Sequence, residues 1–214
     1  MEASFWIARW AEGRIGFHEG KPNGFLERHG ARLAGAKRVL VPLCGKAVDL
    51  AYLAGRGHEV VGVELVEDAV QQFFTEHGAT PVVTPRGAFV EYTAGAITIF
   101  AGDWFATDAA LLGRIDAVYD RAALIAMSPE LRPRYVAHER ALALASDAPV
   151  LLVTLEYPQA LMDGPPFAVL EDEVRALYAG ARVELVEDAA GRTGRLPPDA
   201  PCREKCFVIT KEPP

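Results

Sequence analysis

Cysteine is scarce in this chain: three residues, at 44, 202 and 206, among 214. They are too few and too unevenly spread for a disulfide framework and read as reduced thiols. Cys202 and Cys206 lack the companion ligands that a metal would need. No apolar run reaches the length of a membrane span. The first residues, MEASFWIARW, contain no basic stretch leading into an apolar core, so no signal peptide is read. Strongly basic runs are missing as well. Lys and Arg total 22 against 29 Asp and Glu, a formal charge of −7, which leaves nucleic acid and anionic lipid without an electrostatic footprint. Arg132 and Arg134 read as part of a solvated helix face. The contiguous His-Glu-x-x-His run of zinc hydrolases does not occur. These absences lead to the expectation of a cytoplasmic, monomeric protein whose partner is a small molecule.

What is present is apolar mass and one informative stretch. Half of the residues are hydrophobic, enough for the core of a single α/β domain over 1–214. Arg38 to Leu65, RVLVPLCGKAVDLAYLAGRGHEVVGVEL, reads as strand, glycine turn, helix, strand. The two Val-rich strands look buried on both faces. Such a unit sets a helix N-terminus beside both strand ends. Glu64 follows Gly45 by nineteen residues, where nucleotide-binding units carry the acid that takes the ribose hydroxyls. A dinucleotide fold wants G-x-G-x-x-G to close on a pyrophosphate. Only Gly45 is in place here; Pro42, Cys44, Lys46 and Val48 stand around it. A ribose-bearing cofactor without phosphate fits better, which points to S-adenosylmethionine. The alternative is an α/β domain whose turn binds nothing.

This stretch resembles the cofactor-binding core of the thiopurine S-methyltransferase family in its bacterial form. FWIARWAEGRIGFHEG at 5–20, DRAALIAM at 120–127 and GPPF at 164–167 resemble the same family in the same order. The resemblance runs from about Ser4 to Val186. It implies a class I methyltransferase: a doubly wound, Rossmann-like, mostly parallel seven-stranded sheet ending in a C-terminal antiparallel strand pair. It also implies that residues 1–36 cover cofactor and substrate while 37–214 form the core.

Taken in order, Phe5, Trp6 and Trp10 fall on one side of a short helix, and Gly13, Gly16 and Gly20 loosen the chain after it. By themselves these aromatics could simply anchor the helix. The family implies that Trp6 and Trp10 lie on the cofactor and Phe17 on the substrate. Rings suit that work because they exclude water and can face a sulfonium charge. Leu43, Gly45 and Glu64 belong to the cofactor turn. Asn23–Leu33 and Glu67–His77 read as helices, Thr80–Ala88 as irregular, and Phe89–Thr93 with Ala96–Ala101 as a hairpin. Asp103 could accept from an adenine amino group or cap a helix; the resemblance makes Asp103 and Trp104 cofactor neighbours.

Ile115–Asp120 reads as a strand with Arg121 at its C-terminal end, on the face where open α/β sheets bind ligands. Asp120 and Arg121 could instead form a pair that ties down the strand end; the family implies an arginine beside cofactor and substrate. Helices are expected at Pro129–Ala145 and Glu171–Ala179, and strands at Val150–Tyr157, Ala181–Glu187 and Cys206–Lys211. Gly164-Pro165-Pro166-Phe167 reads as a stiff lid with one X-Pro bond a candidate for cis, and with Phe167 either a substrate wall or packing. Arg192 and Arg195, in a Gly/Pro-rich loop, are candidates to cap the site.

The reaction this implies is in-line transfer of a methyl group from S-adenosylmethionine to a thiopurine or another aromatic or heterocyclic thiol, with selenium or tellurium oxyanions as further acceptors. Arg121 would favour the thiolate and hold it. The alternatives are a nicotinamide enzyme, which the missing glycines oppose, a halide or small-thiol methyltransferase, and a non-catalytic cofactor-binding sensor.

Overall fold

The computed structural model describes residues 3–143 and 148–212. The N-terminal aromatics lie on helix α1 (Ala3–Ala11), and a loop leads to α2 (Gly24–His29). Asn23 caps α2 by accepting the Phe25 N–H at 3.0 Å, and a 3-10 turn over Gly30–Leu33 completes the segment. The central unit comes next, as the sequence predicts: β1 (Arg38–Pro42), α3 (Asp49–Gly55), β2 (Glu59–Glu64) and α4 (Glu67–Glu76). Then come β3 (Val82–Arg86), β4 (Phe89–Ala94) and β5 (Ile97–Ala101). The remainder comprises α5 (Ala109–Leu112), β6 (Ala117–Arg121), α6 (Arg132–Ala143), β7 (Val150–Glu156), α7 (Glu171–Leu177), β8 (Ala181–Ala190) and β9 (Arg203–Lys211). Residues 144–145 of the expected Pro129–Ala145 helix lie outside the described residues.

The strands form one mixed sheet in the order β3-β4-β5-β2-β1-β6-β7-β9-β8. This corrects the expectation of seven strands: the described residues form nine. The pairs β5–β2, β2–β1, β1–β6 and β6–β7 are parallel, and as many are antiparallel: β3–β4, β4–β5, β7–β9 and β9–β8. The unforeseen strand is β3. Its residues Val82, Val83, Pro85 and Arg86 are exposed at the sheet edge, so no apolar alternation marks it, and proline is tolerated only at such an edge. β8 and β9 also run further than expected, through charged residues that pair across the ladder up to Ala190 and Arg203.

The central strands are covered on both sides. Leu40, Val61, Val63, Val118 and Leu152 face one core, with Tyr135 and Val136 of α6 and Val174 of α7. Val39, Val41, Val60, Tyr119 and Leu151 face the other, with residues of α2, α3 and α4 such as Leu26, Leu50 and Phe73. Burying each such side chain contributes about 1.5–3 kcal/mol, which is why the Val-rich runs settle in the middle of the sheet. Arg132 corrects the reading of a solvated face. It is buried and gives hydrogen bonds to Glu173 at 2.6 and 2.7 Å and to the Ala168 carbonyl at 2.8 Å, so it joins α6 to the start of α7.

Candidate active site

From β1 the chain crosses to β2 on one side and later returns to β6 on the other. Ligands of open α/β sheets bind at such a reversal, outside the C-terminal strand ends. A cavity of about 800 Å³ opens there, within the usual range for small-molecule sites. Two non-glycine residues hold left-handed backbone on its wall: Leu43 after β1, φ 47°, and Ala122 after β6, φ 65°. Each costs about 1–3 kcal/mol, and strain of this kind gathers at functional sites. Nothing in the sequence marks Ala122.

Glu64 organises the cofactor end. One carboxylate oxygen accepts the Gly45 N–H and the other the Val66 N–H, both at 2.8 Å. The carboxylate thereby ties the turn after β1 to the chain entering α4. Burial pushes its pKa up, and the backbone N–H bonds oppose this only in part. Each oxygen keeps a further lone pair for a ligand hydroxyl, and Glu64 lines the cavity. Gly45, at φ 52°, does not itself line it; a Cβ there would lie 3.0 Å from the Trp10 ring. The glycine therefore lets Trp10 pack on the turn.

Trp10 is buried, and its ring meets Phe17 edge-on at 5.7 Å; Trp6 meets Phe17 at 6.1 Å. All three line the cavity. Arg121 fixes this cover to the sheet. Its Nη1 donates to the Phe17 carbonyl at 2.7 Å, and its Nη2 donates to Glu19. Asp120, beside it, does not pair with Arg121. It points into the opposite core, accepting the Tyr135 hydroxyl at 2.8 Å and the Leu124 N–H at 3.1 Å. The tie between neighbours considered from sequence is thus replaced by one across more than a hundred residues, and Glu19 had no local signal.

Asp103 both lines the cavity and caps the short 3-10 turn after it, accepting the Phe105 N–H at 3.0 Å. Trp104 lines the cavity too, with its Nε1 buried and without an acceptor. In the Gly-Pro-Pro-Phe lid, Pro165 and Pro166 line the cavity and Phe167 does not. The Phe167 ring folds back over Gly164, and its N–H bonds the Ile125 carbonyl at 2.7 Å, so packing is what the structure gives it. Both X-Pro bonds of the lid are cis.

Arg192 and Arg195 reach the cavity, and Arg195 donates to the Pro165 carbonyl. Arg134, like Arg132 read as solvated, lies over the Phe105 ring at 4.1 Å on the cavity wall. With Arg9 and Arg121 the wall holds five arginines against four carboxylates, Glu19, Glu64, Asp103 and Glu204. A chain of net charge −7 has concentrated cations here, which suits a ligand carrying negative charge. Among the described residues no group of His, Cys, Asp and Glu could hold a metal, and no helix is long and apolar enough to cross a membrane.

Comparison with known proteins agrees with this geometry. The family model for thiopurine S-methyltransferase (TPMT) matches residues 1–197. A thiopurine S-methyltransferase of Pseudomonas aeruginosa (strain UCBPP-PA14) is 52% identical over 190 residues, 87% of each chain. One of Xanthobacter autotrophicus (strain ATCC BAA-1158 / Py2) is 45% identical over 214 residues, covering 99% of this chain and 100% of its own. Among solved structures, the fold resembles Burkholderia thailandensis 1,6-didemethyltoxoflavin-N1-methyltransferase with bound 1,6-didemethyltoxoflavin and S-adenosylhomocysteine. The TM-score is 0.64 at 19% identity, over 99% of this chain and 87% of that one.

Proposed function

The chain belongs to the thiopurine S-methyltransferase family and is an S-adenosylmethionine-dependent methyltransferase; on that premise we propose that its acceptor is the sulfur of a thiopurine or another aromatic or heterocyclic thiol. The observation that carries this reading is the cavity itself. It has a Glu64-held turn at one end, aromatic rings over it, and an excess of arginine around the rest.

The wall fits the methyl donor. Glu64 has lone pairs for the ribose hydroxyls, Asp103 is exposed toward an adenine, and Trp6, Trp10 and Phe17 offer π faces to a sulfonium. When bound, that donor supplies an activated methyl group, so the protein has mainly to align acceptor and donor and to exclude water. Leu43, Gly45, Trp104 and Arg121 complete the cofactor side in this reading. Arg121 keeps N–H donors beyond the two given to Phe17 and Glu19. With them it holds an acceptor thiolate and favours its ionised form. Pro165 and Pro166 take the wall position expected of Phe167. Residues 1–36 act as the cover and 37–214 as the core of one domain. The cysteines at 44, 202 and 206 are free, in keeping with work in the cytoplasm.

The arginine excess also favours anionic selenium or tellurium acceptors as a second class. Initial rates with a thiopurine, selenite and iodide test the assignment. The thiopurine should be fastest. A faster reaction with iodide would move the protein to halide methylation.

A further inference from the structure

Three of the four carboxylates on the cavity wall are engaged by neighbours. Glu19 binds Arg121 and Asn23, Glu64 binds the Gly45 and Val66 N–H groups, and Asp103 binds the Phe105 N–H. Glu204 is the exception. Among the described residues its carboxylate makes no hydrogen bond and no ion pair; only longer-range charges reach it.

Its place is built. Glu204 sits near the start of β9, opposite Leu155 of β7. Alternate residues of a strand face alternate sides. Cys206, two positions on, and Tyr119, two before Arg121, both belong to the core on the α2–α4 side. Glu204 and Arg121 therefore project from the same face, with β7 between them. Gly191 backs the side chain: a Cβ there would stand 2.9 Å from the Glu204 Cγ. A half-buried carboxylate without a partner is costly unless something is meant to meet it.

The wall has few other groups that can take a proton. Among the described residues it contains no histidine, lysine, cysteine or tyrosine, and arginine stays protonated. We propose that Glu204 is the general base that deprotonates acceptors arriving as neutral thiols, which extends the substrate range beyond thiols already ionised. This rests on the S-methyl transfer reading above. In the step, the S–H proton passes to a Glu204 carboxylate oxygen. The freed sulfur pair forms the new S–C bond, while the pair of the donor's own C–S bond stays on the departing thioether. Glu204 then returns its proton to water through its exposed side.

The charges around Glu204 suit this role. Burial and the Glu19 carboxylate raise its pKa, against the opposing pull of Arg121 and Arg28, and the partly buried Cys202 thiol lies close enough to feel the Glu204 charge. The result is a stronger base than a surface carboxylate.

The test compares Glu204→Gln and Glu204→Asp with the wild type on two acceptors at about pH 7.5. One is a heterocyclic thiol ionised at that pH, the other an alkyl thiol, which is mostly protonated there. Glu204→Gln should lose about a hundredfold or more in kcat/KM on the alkyl thiol, the range of a lost general base. Its loss on the ionised thiol should be at least tenfold smaller. The alkyl-thiol deficit should shrink as pH rises through the thiol's own pKa. Glu204→Asp, which keeps a base one methylene further back, should fall between. Urea unfolding and S-adenosylhomocysteine calorimetry check that both variants are folded; should Glu204→Gln fail that check, the Glu204→Asp comparison carries the test. Equal losses on both acceptors at every pH, or no loss, would overturn the role of Glu204 alone. A wild-type protein that methylates neither thiol would overturn the S-transfer reading and this one with it.

Discussion

Glu139 of α6 is fully buried, and it faces Asp120, the residue before Arg121. The Tyr178 hydroxyl donates to one Glu139 oxygen at 2.8 Å, and the other oxygen is buried without another donor. Two carboxylates cannot both ionise in such a place. A proton on Glu139, shared with Asp120, satisfies both. Burial and then the Asp120 charge push the Glu139 pKa well above its ordinary value, with Arg140 a weaker opposing influence. The unfolded chain releases this proton at about pH 4.5, and the folded protein keeps it. The folded state therefore binds more protons than the unfolded state above that pH, so its stability falls as pH rises toward the folded pKa. The cost is about 1.4 kcal/mol for each pH unit between the unfolded and folded pKa values. Glu139→Gln keeps an oxygen for Tyr178 and an N–H for Asp120 but has no proton to lose. Above about pH 5 its unfolding free energy in urea should gain on the wild type, by up to about 1.4 kcal/mol per pH unit until the folded pKa is reached. Parallel curves for the two proteins would refute the shared proton. Because Asp120 also holds the Leu124 N–H below the strained turn at Ala122, the pair supports the corner that aims Arg121.

Other consequences are sharper on binding and activity. Glu64→Ala should weaken S-adenosylhomocysteine binding by about 1–3 kcal/mol through lost ribose bonds, read by calorimetry; unaltered affinity would remove the ribose assignment. Arg121→Ala should reduce methyl transfer by about 2–4 kcal/mol in activation free energy, with Arg121→Lys between it and the wild type. It should also speed proteolysis near Gly13–Gly20, because the Phe17 and Glu19 ties go with it. Cleavage at that segment should slow in the wild type when S-adenosylhomocysteine is added. Equal cleavage with and without ligand would mean that the cover is docked permanently.

The parts of the site that were legible in sequence are those carried by local pattern. The Val-rich strands, the single glycine turn and the acid nineteen residues on come from strand burial and turn chemistry, which a short window contains. Arg121 was legible because it ends a buried strand. Glu19 and Glu204 were not, since their place depends on contacts between distant parts of the chain. Glu204 moreover lies in the charged start of β9, ahead of the strand expected from Cys206. Arg132 of α6 misled for the same reason: nothing local distinguishes an arginine buried against Glu173 from one in water, such as the exposed Arg134. The outer strand β3 escaped because an exposed edge imposes no apolar period. In the Gly-Pro-Pro-Phe lid the sequence left Phe167 open between wall and packing, and the backbone turns it onto Gly164 with the prolines on the cavity wall.

The central claim, methyl transfer to sulfur in this cavity, is tested most directly by a single turnover. The purified protein is mixed with equimolar S-adenosylmethionine, labelled on the methyl group, and with a thiopurine. Label should appear on the thiopurine sulfur in step with S-adenosylhomocysteine, one for one. Tight binding of S-adenosylmethionine with no label leaving it, for this or any other thiol, would contradict the claim and make the protein a binder that does no transfer.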